Sequence, residues 1–293
     1  MKMMKKIKPF QGFRAFFKSV LVILFTGFCF LPLKAQLIPL RNGTETTLAY
    51  IDTIRKYYPV ETNFVPDSID AHLGIYVYRI RDLSGEIDVN DVFIEEAVNT
   101  VNAYFENTGI HFYIFNSSII NDYNYRNLLS ESMVDELTTM YSAENMINLY
   151  LVDVPLDTLN YGFTYYPDEP EKNFIFLNQE ALIGNYLTTL MGNYFGLLPT
   201  HEIRGGQEYA DSSNCESAGD FICDTWSDPN LYGLVALPDC QYTGNYTDSQ
   251  MDFFVPSVAN IMSNSEDQCK CVLTPLQYKR IQFTYIKHRS YLR

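Results

Sequence analysis

Apolar residues recur along this chain at two spacings, every second position in short runs and every third or fourth in longer ones. Leu73–Ile80 (LGIYVYRI) alternates as a half-buried strand does. Across Asp88–Asn107, Val92, Ile94, Ala97, Val98, Val101, Ala103 and Tyr104 keep helical spacing, and Gly109 stands where helices stop. Ile110–Phe115 and Ile147–Val152 read as strands and Met133–Tyr141 as a short helix. Gly162–Tyr166 reads as an edge strand ahead of Pro167, and Phe174–Leu177 as another short strand.

From Gln179 to Leu198 the spacing predicts one long helix, with Leu182, Ile183, Tyr186, Leu187, Leu190, Met191, Tyr194, Phe195 and Leu198 on one stripe. A second stripe is small or polar: Asn185, Thr189, Gly192, Asn193 and Gly196. A long stretch rich in Cys, Asp, Gly, Asn and Ser follows. Thr274-Pro275 then has the form of an N-cap with proline at the first helical position, opening a final helix to about Arg289. The order predicts an α+β domain over residues 71–293: a mixed twisted sheet with a long helix, then an irregular second lobe. Residues 36–70, mixed and broken by proline, read as an N-terminal extension packed on that domain.

The first residues belong to a different class. A basic start, an apolar run from Val20 to Leu33 and the small residue Ala35 describe a secretory signal peptide over residues 1–35. The run falls short of the roughly 20 apolar residues a membrane span needs, so none is expected after its removal. Phe28 before Cys29 argues against lipid attachment at that cysteine. Residues 1–36 hold seven basic residues and no acid; taking seven from 21 leaves 14 against 35 acidic residues, a formal charge of −21. Such a surface repels nucleic-acid phosphates and anionic membranes and suits a secreted or cell-envelope protein. The remaining cysteines, Cys215, Cys223, Cys240, Cys269 and Cys271, crowd the C-terminal third and read as disulfides with at least one left over. A Cys-only zinc site would want paired CxxC spacing, which they lack.

Four stretches together resemble the pappalysin family of metzincin zinc endopeptidases. They are Tyr104–Phe112 (YFENTGIHF), the strands at Ile147–Val152 and Gly162-Phe163, Gly219–Thr225 (GDFICDT), and Asn260-Ile261-Met262 with the later Thr-Pro-Leu-Gln-Tyr run. The likeness runs from about Leu73 to the C-terminus and implies a two-lobed metzincin-like catalytic domain with Met262 in the family's Met-turn.

The family's central motif, HExxHxxGxxH, sets two histidines on one helix face, a glutamate as general base, and a glycine that lets a third histidine close the zinc site. Aligned on Gly192, Tyr194, Gly196 and Leu197, this chain has Thr189, Asn193 and Pro199 at the histidines and Leu190 at the glutamate. The family's tyrosine after the Met-turn falls at Asn264. Threonine, asparagine and proline do not supply imidazole, thiolate or carboxylate, and leucine accepts no proton. Four histidines are available elsewhere. His201-Glu202 has Gly205 where a second histidine would stand, and reads as a solvated loop pair; His111 reads as a core histidine, His72 and His288 as surface residues.

The resemblance therefore implies a pseudoprotease without zinc that binds a peptide, protein or glycan in its cleft, along Gly162–Tyr166. An active zinc endopeptidase with non-standard ligands and a structural surface module are the alternatives. The resemblance also implies disulfides Cys215–Cys240 and Cys223 with Cys269 or Cys271, and structural calcium near Asp220, Asp224 and Thr225. A tight turn capped by aspartate hydrogen bonds explains those three residues equally well.

Overall fold

A computed structural model describes residues 41–65, 68–84 and 89–293. The signal-peptide expectation lies outside these residues. Among them no helix is long and apolar enough to cross a membrane.

In chain order the elements are β1 (Arg41–Asn42), α1 (Leu48–Thr62), β2 (Ala71–Ile80), α2 (Asp91–Phe105), β3 (Ile110–Ile120) and β4 (Asn127–Leu128). Then come α3 (Glu131–Met140), β5 (Ile147–Val152), β6 (Val154–Pro155), β7 (Asn160–Thr164), β8 (Phe174–Asn178) and α4 (Tyr186–Tyr194). Two short strands, β9 (Val235–Ala236) and β10 (Gln241–Tyr242), and a last helix, α5 (Pro275–Thr284), complete the chain.

Six strands form one mixed sheet in the order β1-β7-β8-β5-β2-β3. All neighbours are parallel except β7 and β8. β5 is buried at every position because both sheet faces are covered. On one face Ile75, Val77, Leu149 and Ile175 pack against α2 and α4 through Val98, Val101, Leu187 and Leu190. On the other, Tyr78, Tyr150, Phe176 and Phe163 are cross-strand neighbours stacked with ring centroids 4.7, 4.8 and 4.6 Å apart. Val134 and Leu137 of α3 lie in that same cluster. Each fully buried side chain of this kind contributes roughly 1.5–3 kcal/mol.

The helix expected over Gln179–Leu198 is shorter and broken. A 3₁₀ turn spans Gln179–Leu182, and α4 begins only at Tyr186. Between them Gly184 takes φ +106°, a left-handed conformation that a glycine adopts without strain. The cause is remote in sequence: the Asp267 carboxylate accepts the N–H of Asn185 at 3.0 and 3.2 Å and sits against Gly184. The strand expected at Ile110–Phe115 continues to Ile120, paired with β2 on both sides of a bulge at Phe115. α5 opens as expected, with Thr274 and Gln277 forming a capping box.

The N-terminal extension is built into the fold. Thr47 caps α1, accepting from the N–H of Tyr50 at 3.0 Å. Tyr50, Ile51 and Ile54 pack with Tyr166, Leu198 and Phe221. At the far end of α1, Glu61 accepts from Arg280 Nε of α5 at 2.7 Å. β1 lies on β7, so β7 is not the sheet edge that its sequence suggests.

The disulfides also differ from expectation. Cys215 bridges Cys223, and Cys240 bridges Cys269, with Cα separations of 5.1 and 5.6 Å. Cys215 and Cys223 flank the turn at Gly219-Asp220, which brings them together, while Cys240 is carried to Cys269 across the lobe. Cys271 belongs to neither bridge; its N–H pairs with Ala259 O at 2.8 Å.

Candidate functional site

A cavity of about 390 Å³ opens where α4, the loop after it, the turn at Met262 and residues 42–46 converge. α4 ends because Gly196 takes φ +88°, and Tyr50 Oη donates to the carbonyl it leaves open, at 2.8 Å. The turn Asn260–Ser263 carries Met262 beneath α4, where its sulfur lies so close to Gly192 that a side chain there would collide.

Thr189, Pro199, Asn264 and Met262 line this cavity; Leu190 and Asn193 do not. Thr189 Oγ1 donates to the carbonyls of Asn185 and Ile261 at 3.2 and 3.1 Å. Leu190 is wholly buried in the sheet-facing core, packed towards Gly162 of β7. Asn193 has no exposed surface: Nδ2 donates to Tyr166 Oη and to Leu197 O, and Oδ1 accepts from Asn42 Nδ2 at 2.6 Å. Asn264 Nδ2 donates to Asn230 Oδ1 at 2.9 Å. The four aligned positions thus divide between a cavity wall and the interior.

Residues 41–46 cross the mouth of the site. Arg41 and Asn42 pair with Asn160 and Gly162, and Gly43 N–H donates to Gly162 O at 2.8 Å. Thr44 Oγ1 accepts the N–H of Thr164 at 3.1 Å, and Glu45 pairs with Arg204 at 2.8 Å. The stretch expected to receive a ligand along Gly162–Tyr166 is therefore covered by the chain itself. Phe163 and Tyr165 face the aromatic cluster beneath the sheet, and Tyr165 Oη donates to Glu131.

His201-Glu202 is not a solvated pair. Glu202 is buried, and its carboxylate accepts the N–H groups of Ile203 and Arg204 at 2.8 and 2.6 Å. His201 lines the cavity with a buried Nδ1 that has no hydrogen-bond partner. Burial lowers its pKa, opposed by Asp228 and Glu202. Asp228 accepts from Thr200 Oγ1 at 2.7 Å, and burial raises its pKa. Lys270 reaches the same cavity and is only 6 % exposed. Tyr161 stands beside Thr189 with a phenol whose pKa burial raises. Asp228 and Lys270 escaped the reading of the sequence, and His201 reads there as a solvated residue, because the three converge from separate loops. The usable signal was the placement of Lys270 directly after a cysteine in a disulfide-rich segment.

Of the other histidines, His72 is exposed as expected, whereas His111 and His288 differ from expectation. His111 stacks on His72 at 5.4 Å across β2 and β3, on a partly open sheet surface and not in the core. His288 is half-buried against Tyr57.

Asp220, Asp224 and Thr225 do not share one site. Asp220 has no exposed surface; it accepts from Ile222 N–H and from Thr225 Oγ1 at 3.0–3.1 Å. Asp224 instead accepts from Thr274 Oγ1 at 2.6 Å and Leu276 N–H at 2.9 Å, holding the start of α5. Beside Asp220, the buried Glu208 keeps Oε1 without a partner, and burial raises its pKa to about 7. Among the described residues no three His, Cys, Asp or Glu side chains gather as a metal would require.

The sequence matches no protein-family model and no curated protein. The fold is similar to that of mirolysin, solved in complex with a compound, at TM-score 0.55 and 15% identity, over 78% of this chain and 96% of that one. A metalloproteinase-II from Bacteroides fragilis aligns at TM-score 0.32 and 11% identity, over 57% of this chain and 49% of that one, too loosely to carry weight. The likeness is one of fold: a mixed twisted sheet with helices, similar to that of metallopeptidase catalytic domains.

Proposed function

We propose that this chain is an exported, non-catalytic pseudoprotease of pappalysin type, a binding module on a metallopeptidase scaffold. One observation carries the reading: no side chain at the aligned catalytic positions offers the cavity a zinc ligand or a base. Thr189 and Asn193 direct their donors at carbonyls and a phenol, Leu190 is core, and Pro199 has no donor. These residues do not fit the imidazole, thiolate or carboxylate set that zinc takes. No base stands where water would be activated. Two disulfides support residence in an oxidising compartment. A calcium ion at Asp220 or Asp224 would displace hydrogen bonds that already satisfy both carboxylates, so capping is the reading we adopt there.

Binding on this reading takes place in the cavity under residues 42–46. Its polar wall, with the unpartnered His201 Nδ1, suits a peptide segment offering amide groups. The test is purification of the exported chain, metal analysis, and cleavage of a denatured protein with and without chelator. Stoichiometric zinc with chelator-sensitive cleavage refutes the proposal. Peptides selected on the protein from a display library should lose binding when Asn264→Trp fills the cavity; unchanged binding removes the cavity as their site.

A further inference from the structure

Ala71 and Leu73 of β2 and Ile110 and Phe112 of β3 turn into the core, which leaves the intervening His72 and His111 on the opposite face. β5 joins β2 only from Ile75 onward, so at His72 the sheet is two strands wide and open to solvent. The register sets His72 directly beside His111, and their rings stack with centroids 5.4 Å apart and planes inclined by 28°. The main chain around them is pinned. Ala71 N–H donates to Gly109 O at 3.0 Å, and Phe112 N–H donates to Asn102 Oδ1 of α2 at 2.7 Å, while Asn102 Nδ2 donates back to Phe112 O at 2.8 Å. Neither histidine lines the cavity at α4.

That ring separation has a chemical meaning. Two imidazoles on one tetrahedral ion, each nitrogen about 2.0–2.1 Å from it, hold their ring centroids roughly 5 Å apart. Asp70 Oδ1 lies 3.3 Å from His72 Nε2. There it accepts that N–H and leaves the Nδ1 lone pair for a cation, as carboxylates behind metal-bound histidines do. The side chains of His72 and Asp70 are 66 % and 85 % exposed, so an ion reaches them from solution.

We propose that His72 and His111 form a surface site for a divalent transition-metal ion of the zinc, copper or nickel class, with Asp70 as its positioning residue. Imidazole nitrogen suits those ions, whereas calcium and magnesium take oxygen. Two nitrogens are fewer than an enclosed zinc centre supplies, so water fills the remaining positions. The bound ion clasps β3, the last strand of the sheet, to β2. Zinc held here leaves the non-catalytic reading of the cavity untouched, since no cavity residue takes part.

The full exported chain is titrated with zinc chloride by calorimetry, beside His72→Gln, His111→Gln, the double variant, Asp70→Asn and Asp70→Glu. The unsubstituted chain should bind one zinc, each histidine change should weaken it at least about tenfold, and the double variant should bind none. Asp70→Asn should weaken binding about tenfold and Asp70→Glu much less; equal affinity in all three removes Asp70 from the site. No zinc on the unsubstituted chain, unchanged affinity in either single histidine variant, or zinc retained by the double variant overturns the proposal. Imidazole NMR of the unsubstituted chain needs no substitution. Zinc should shift the ring signals of His72 and His111 together and spare those of His201 and His288, and calcium chloride should move none. Shifts at His201 in place of that pair overturn the proposal, and chelator-sensitive cleavage alongside them defeats the non-catalytic reading as well.

Discussion

The sheet half of the molecule and the lobe that follows α4 bury very different chemistry. In the sheet, the fully enclosed positions are Ile75, Val77, Leu149, Ile175 and a row of stacked rings. Between the lobe and the helices that clasp it, the largest enclosed side chains are Arg280 and Arg289, with Asp220, Glu208, Asp228 and Lys270 close to fully buried. Arg280 donates to Glu61 Oε1, Asp220 O and Phe221 O at 2.7–2.9 Å. Arg289 donates to Tyr194 O and Asn173 Oδ1, with its guanidinium 3.6 Å from the Tyr194 ring centroid. Regular strands satisfy their own backbone and leave side chains free to be apolar. A lobe with little regular structure uses side-chain charges and Asx caps to satisfy its carbonyls and N–H groups.

Substitutions test that contrast. The largest expected effect is Arg280→Met, which leaves the Glu61 carboxylate buried without its partner and should cost about 3–5 kcal/mol. Adding Glu61→Met should recover part of this loss in urea unfolding, because the stranded charge is then gone. Leu149→Ala in the sheet should cost about 2–5 kcal/mol, and no single charge removal should restore it. If the double variant is no more stable than Arg280→Met alone, ion pairing is not what holds α1 to α5.

The disulfides come next. Cys240–Cys269 closes a separation of 29 residues and Cys215–Cys223 one of 8. Chain entropy then assigns about 3.6 kcal/mol to the first and about 2.5 to the second. Paired serine replacements should follow that order, with the loss confined to the C-terminal lobe by amide exchange. A smaller effect, about 1 kcal/mol, is expected for Thr274→Ala, which removes the cap of α5. The last prediction concerns pH. With a folded pKa of about 7 against an ordinary 4.5, Glu208 binds its proton more tightly in the fold than in the unfolded chain. Its stabilising contribution is complete below about 4.5 and fades as pH rises through 7. Glu208→Gln should therefore flatten the fall in urea midpoint between pH 5.5 and 8; an unchanged slope would mean that the carboxylate is ionised in the fold.

Most of the sheet was legible in the sequence because its signals are local. Alternation marked β2, the run Ile147–Val152 read as the strand β5, a glycine at φ +72° closed the turn after α2, and Thr274-Pro275 announced α5. The misses share one cause, contact between residues far apart in the chain. Gly184 stood in the middle of the periodic stretch, but the break there depends on Asp267. Gly162–Tyr166 has the local pattern of an edge, yet Asn42 lies beside Gly162. The cysteine pairs followed from how loops fold back, which spacing does not record. At the site, the lost ligands were readable one by one at Thr189, Asn193 and Pro199, whereas the meeting of His201, Asp228 and Lys270 was not.

The short strand laid on β7 has a further implication. Any extended peptide seeking that sheet edge must compete with a rival tethered to the same molecule, whose effective concentration is on the order of millimolar. Occupancy by an outside chain would thus report on the local detachment of residues 41–44 as much as on affinity. Shortening or stiffening the connection between Asn42 and α1 would tune it, through residues 43–46 that themselves line the cavity.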